Sequence, residues 1–267
     1  MNYKLILLLV IIAAVVSLFF LVRNGATAQG WRFASHEPTG TAPDPQKVKE
    51  AVIQIYSART WGWRGNFATH PWIAVKPTDG KYFTVYEKIG WRLRRGETPV
   101  VIHQRPADAR WYGNVPELLA DLRGSGVDAI IAKIDKAAHS YPHVQDYSTY
   151  PGPNSNTFIA HIGREVPELK LDLPPTAIGK DYLGSSFINK TSSGTGFQFS
   201  LGGLLGVLAS WEVGLEINIL GLVFGIDPID PAIKLPFIGR IGPAHAGIPR
   251  NVGGKEPGDR AGIIVPS

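Results

Sequence analysis

Ala51-Val-Ile-Gln-Ile-Tyr-Ser-Ala58 is a short β-branched run with the alternation of a strand, and the fold follows from what lies on either side of it. Downstream, Thr60-Trp-Gly-Trp-Arg-Gly-Asn66 is a glycine-punctuated loop, and His70-Pro-Trp-Ile-Ala-Val-Lys76 reads as a second strand. Thr78-Asp79-Gly80 is a turn signal, and Tyr82 to Gly90 alternates again. Together these predict three strands in an antiparallel meander. The period then changes to three and four residues in Val115–Gly124 and again in Val127–Ser140, which predicts two helices interrupted at Gly124-Ser125-Gly126 and stopped by Pro142. A third helix is expected over Asn156–Val166, capped by Asn154 or Ser155 and stopped by Pro167. The fold class is therefore α+β, with residues 47–190 as its main domain.

Toward the N-terminus, Asn24 to Gln46 is rich in Gly, Pro, Thr and Ala and reads as a tether. Before it, Leu5 to Val22 is apolar at every position but Ser17, long enough for a transmembrane helix within an anchor over residues 1–23. The competing reading is a secretory signal cleaved after Ala28, since Ala26-Thr27-Ala28 has the small-x-small pattern of a processing site. Both place the domain outside the cytoplasm. We expect a single-pass protein of a bacterial inner membrane with its domain in the periplasm, in contact with inner-membrane lipid.

The chain contains no cysteine, which excludes disulfides, thiolate nucleophiles and thiolate metal sites. Its net charge of +5 comes from basic residues scattered among acids, a pattern that suits an anionic envelope surface and argues against nucleic acid as a partner. No cofactor is expected. His139 and His143 have a helical metal-ligand spacing, but Pro142 between them ends the helix, so no metal site is assigned.

Leu171 to Lys190 opens with Leu-Asp-Leu-Pro-Pro-Thr, and its paired prolines predict an irregular strap across the surface. Residues 191–241 form a Gly-rich apolar extension, in which Phe197–Leu201 and Glu216–Ile219 alternate with period two and are expected to pair as a hairpin. If the apolar residues from Leu201 to Phe224 face outward they mark a membrane or partner surface; if buried, a core. Residues 242–267 are Gly, Pro and charge, and a flexible tail is expected.

Two stretches read as more than scaffold: Trp61–Val75, which contains His70, and Tyr150-Pro-Gly-Pro-Asn-Ser-Asn-Thr-Phe158. With Leu173-Pro-Pro-Thr-Ala-Ile-Gly-Lys-Asp-Tyr182 they resemble the uncharacterised bacterial family catalogued as domain of unknown function 3750, over about Gln54 to Gly239. That resemblance carries no activity. A more distant one is to circularly permuted papain-like (NlpC/P60-type) envelope proteins, in which a strand bearing His precedes a helix-initiating Asn-Cys-x-x-Phe motif. Here His70 and Asn154-Ser-Asn-Thr-Phe158 match, with Ser155 in place of the cysteine.

This resemblance implies an acyl-transfer site. Ser155 at a helix N-terminus would be the nucleophile, aided by the dipole and free N–H groups, with His70 as base and Glu87 as orienter. Asn154 and Asn156, with Trp61, Trp63 and Trp72, would line the binding cleft. The substrate would be an envelope amide or ester. The alternative class is a non-catalytic binding or scaffold protein in which Ser155 is a helix cap, His70 a strand-end histidine, and the tryptophans either core or a surface for an envelope component or partner protein.

Overall fold

A computed structural model describes residues 30, 33–243 and 249–252. The anchor over Leu5–Val22, the processing site at Ala28 and most of the tail lie outside the described residues. No described helix is long and apolar enough to cross a membrane.

The first sheet has six strands: β1 (Val52–Arg59), β2 (Thr69–Lys76), β3 (Thr84–Lys88), β4 (Val100–Gln104), β5 (Glu117–Arg123) and β13 (Arg250–Asn251), in the order β13-β5-β1-β2-β3-β4. The expected meander is β1-β2-β3, with Ile55 opposite Ile73 and Ile73 opposite Tyr86. Two α-helices are described, α1 (Val127–His139) and α2 (Ser155–Glu165).

Because side chains alternate across a strand, β1 to β3 feed two separate cores. One face carries Ile53, Ile55, Ile73, Val75 and Tyr86 and is covered by Ile130 and Ile134 of α1 and Phe158, Ile159 and Ile162 of α2. The other carries Val52, Tyr56, Trp72, Ala74 and Val85 and is covered by Ala107 and Trp111, with Ala42 and Val48 alongside. Burial on both faces explains why β1 lacks a polar side.

Four expectations need correction at this level. Val115–Gly124 is not a helix: its centre is β5, antiparallel to β1. In so short a run Leu118, Leu119 and Leu122 fit either period, and covering both sheet faces rewards a strand that is apolar on both sides. The tether is packed where it is described. Pro38 bridges Ala109, and the Asp108 carboxylate accepts from Thr41 N (2.7 Å), Ala42 N (3.2 Å) and Thr39 Oγ1 (3.0 Å), fastening residues 38–42 over the sheet. The strap is internal, since Leu171, Leu173 and Ala177 belong to the helix-side core. Finally, Arg250–Asn251 of the tail is β13, parallel to β5.

The extension forms a second sheet, a seven-stranded antiparallel meander of β6 (Ile188–Lys190), β7 (Gly196–Leu201), β8 (Leu205–Ser210), β9 (Gly214–Ile219), β10 (Leu222–Asp227), β11 (Ala232–Leu235) and β12 (Gly239–Ile241). The two segments expected to pair with each other are β7 and β9, and β8 lies between them. Tight turns make this possible. Leu220-Gly221 has two consecutive positive φ angles, the geometry of a two-residue hairpin loop, and Gly202-Gly203 has the same in the three-residue loop between Leu201 and Leu205.

The polarity of this sheet is inverted relative to an ordinary two-layer domain. Its inner face carries Gln198, Ser200, Glu216, Asn218, Asp227 and Lys234, all buried. They meet the strap and α2 through polar contacts. Lys234 Nζ donates to Asp172 (2.7 Å), Glu216 (3.1 Å) and Val213 O (2.8 Å). Lys180 pairs with Glu216, Asn218 donates to Asp181 (2.9 Å), and Arg164 of α2 donates to Gln198 Oε1 (3.5 Å). Burial works against the charged Lys180, yet Asp181 and Glu216 hold its pKa above the ordinary value.

The outer face is apolar in continuous cross-strand rows. Leu201, Leu205, Ile219 and Leu222 form one; Phe199, Val207, Ile217 and Phe224 the next; Phe197, Ala209, Leu215 and Ile226 a third, which Ile233 and Ile241 extend. These side chains point away from the rest of the molecule, so the outward alternative holds rather than the core.

Candidate functional site

Helix α2 begins where Pro151 and Pro153 end an irregular segment and Asn154 takes an extended conformation. Asn154 is the N-cap: its Oδ1 accepts from Asn156 N (2.9 Å) and Thr157 N (3.1 Å), while Thr157 Oγ1 accepts from Asn154 N (3.1 Å). This reciprocal pair is a capping box with threonine at its third position. The Asn154 and Asn156 amides both donate to Ile178 O (2.8 Å), binding the helix start to the strap. The two asparagines are therefore structural clamps.

Ser155 is 4 % exposed. The Tyr147 phenol faces Ser155; burial pushes its pKa up and the neighbouring Ser155 opposes the shift. Two leading N–H groups of the helix, those of Asn156 and Thr157, are occupied by the Asn154 cap and not turned to an oxyanion.

His70 lies elsewhere. In β2 it shares the parity of Trp72 and Ala74, so it points to the sheet face opposite α2, where its ring stacks on Trp111 with centroids 3.7 Å apart. The structure does not bring Ser155 and His70 together: a β-sheet separates the helix from the imidazole. It does bring His70 and Glu87 together, with His70 Nε2 2.8 Å from Glu87 Oε2.

Glu87 meets His70 as its expected orienter would, and it is also the hub of a wider cluster. It is 1 % exposed, and its other oxygen, Oε1, meets His103 Nε2 (2.8 Å) and Arg105 Nε (3.1 Å). Burial works to raise the Glu87 pKa, but the bonds from His103 and His70 and the charge of Arg105 outweigh it and hold the carboxyl well below its usual range. An ionised Glu87 accepts only, so both histidines donate to it through Nε2–H. The His103 side chain is 39 % exposed and has no other hydrogen-bond partner among the described residues. Arg105 stacks over Trp72 at 4.6 Å. The cluster is closed by Trp111, which Trp91 and Tyr112 flank at 5.7 and 5.3 Å.

Of the tryptophans expected in a cleft, Trp72 is fully buried and donates to Ala107 O (2.7 Å). Trp63 is exposed and packs on Phe67, which meets Phe237 of the second sheet. Trp61 is half-buried in the loop between β1 and β2. His103, Arg105 and Trp111 are the members sequence reading misses. His103 sits opposite Val85, two residues from Glu87 on the neighbouring strand, a juxtaposition that exists only once β3 and β4 are paired.

One consequence is measurable. Burial, the largest influence on His70, lowers its pKa despite Glu87. The unfolded chain therefore takes up a proton near pH 6.5 that folded His70 still refuses, so stability is present above that value and is lost as pH falls toward the folded pKa. Urea midpoints measured from pH 7.5 to 5 should decline, and the decline should flatten in His70→Gln. An unchanged slope in that variant would assign the acid sensitivity elsewhere.

Residues 50–182 match the model of a family described as Protein of unknown function (DUF3750). The match takes in β1 to β5, both helices and the strap as far as Tyr182, and leaves the second sheet outside. No curated protein matches the chain, and no solved structure matches it.

Proposed function

Taking the match of residues 50–182 to DUF3750 as the premise, we propose that the protein is a non-catalytic binding or scaffold protein of the bacterial cell envelope, held at the inner membrane by Leu5–Val22 with its domain in the periplasm. The observation that carries this reading is the placement of Ser155. It is buried and divided from His70 by the first sheet, so the expected base is out of its reach. A papain-like layout belongs to the same proposal, with a capped Asn-Ser-Asn-Thr-Phe helix laid on a sheet whose first hairpin carries His70 and with the nucleophile–base geometry gone. The ligand-facing surface is then the Glu87 cluster with its aromatic rim, Trp91 and Tyr112.

The test is labelling of the full chain with a fluorophosphonate probe, with Ser155→Ala as control. No labelling is expected. Adduct formation at Ser155, abolished in Ser155→Ala, would restore the hydrolase reading and end this one.

A second reading has one observation in its favour. His103 is a half-exposed histidine whose Nε2–H is fixed by a buried ionised carboxylate, the arrangement of a general base that activates water without a side-chain nucleophile. It would make the same surface a hydrolytic site independent of Ser155.

A further inference from the structure

We propose that the outer face of the second sheet is a lipid-docking surface that lies in the acyl boundary of the bilayer. The inference rests on the membrane-bound reading above and extends it to a second contact.

Apart from the small Ala209 and the half-buried Leu222, the face consists of twelve side chains that are each 40–67 % exposed, from Phe199 at 40 % to Phe197 at 67 %. The twelve that are large present on the order of 1,000 Å² together, against roughly 300–600 Å² for the largest apolar patch of an ordinary monomer. Such a surface needs a cover. The hydrogen-bonded rows across β7 to β10 contain no polar outward side chain.

That composition selects the occupant. Interfaces between protein subunits, even apolar homodimeric ones, keep about a third of their area polar and favour Tyr, Trp, Arg and Met. This face is Leu, Ile, Val and Phe, which acyl chains satisfy without a hydrogen bond. Trp211, 69 % exposed at the turn between β8 and β9, has the amphipathic ring that settles at the headgroup level. The sheet's own donors and acceptors face inward, into the Lys180, Glu216 and Lys234 network, so wetting the inner side is not required for solvation. The strands are six residues long or shorter, about 20 Å, which fits a sheet lying on the bilayer and not one spanning it. The first thirty or so residues of the chain hold the apolar run Leu5–Val22, whose entry into the same bilayer would keep the face within reach of lipid at high effective concentration.

The absence of native cysteine makes the test direct. Ile217→Cys, at the centre of the face, and Lys47→Cys, on the packed segment at the far side of the first sheet, are each labelled in the full chain with the fluorophore NBD. Each is reconstituted in phosphatidylethanolamine–phosphatidylglycerol vesicles with or without acyl-chain doxyl lipid. Docking predicts that both proteins float with the vesicles and that doxyl lipid quenches the label at position 217 about twofold while leaving position 47 unchanged. Flotation without quenching at 217 overturns docking alone. Quenching replaced by energy transfer between labels on two copies would assign the face to self-association and likewise overturn it. Failure to float would remove the membrane reading itself, and docking with it.

Discussion

Replacing Glu87 with glutamine is expected to lower the unfolding free energy by about 3–5 kcal/mol, the cost of removing one partner from a buried charge pair. The carboxylate is almost fully enclosed and answers three donors, His70, His103 and Arg105. A glutamine keeps one acceptor and sets an amide donor against the others. Arg105 is then left next to Trp72 with its charge uncompensated and one guanidinium nitrogen, Nη2, already buried without a partner. Urea denaturation followed by tryptophan fluorescence reads the loss directly, because Trp72 and Trp111 border the cluster. A change below about 1 kcal/mol would mean that water reaches the Glu87 carboxylate in the native protein and replaces the lost contacts.

Lys234→Met should be nearly as costly, about 3 kcal/mol, but its effect should be local. The Lys234 ammonium is the shared partner of Asp172 on the strap and Glu216 on β9, and it also satisfies Val213 O. Methionine fills the volume while leaving two carboxylates facing each other. Because the second sheet is held to the rest of the molecule chiefly by such polar contacts, hydrogen exchange should accelerate across β7 to β11 while β1 and β2 keep their protection. Uniform acceleration across both sheets would show that the molecule unfolds as one cooperative unit and that the network is not a separable joint.

What the sequence made legible tracks how local each signal was. The meander of β1, β2 and β3 was readable because each strand is bounded by turn residues and is paired with its chain neighbour. The start of α2 was readable from Asn154 and the prolines before it, since capping is a matter of three or four consecutive residues. The strand at Glu117–Arg123 was not, because its leucines serve two cores that exist only after β1 has been placed beside it. The same limit governed the site. Glu87 and His70 were named with the wrong third partner: which face of a sheet a helix covers is a property of topology, and Ser155 went to the face that His70 does not. His103 and Arg105 entered through strand pairing. In the second sheet the period of two was plain, but alternation alone does not say which side is outward. Buried lysines and glutamates neutralising one another reversed the usual assignment.

The two residues of β13 set a timetable for the chain. Once Glu117–Arg123 has emerged and paired with β1, its other edge offers unpaired N–H and C=O groups to any extended segment nearby. The native partner, Arg250–Asn251, is made only after the whole second sheet has been synthesised. Until then β5 is an open margin of an otherwise finished sheet, so its exposure to strand capture by another molecule lasts through the synthesis of the whole second sheet. Closure of that margin comes from residues that follow the second sheet in the chain, making the arrival of residue 250 the event that completes the first sheet.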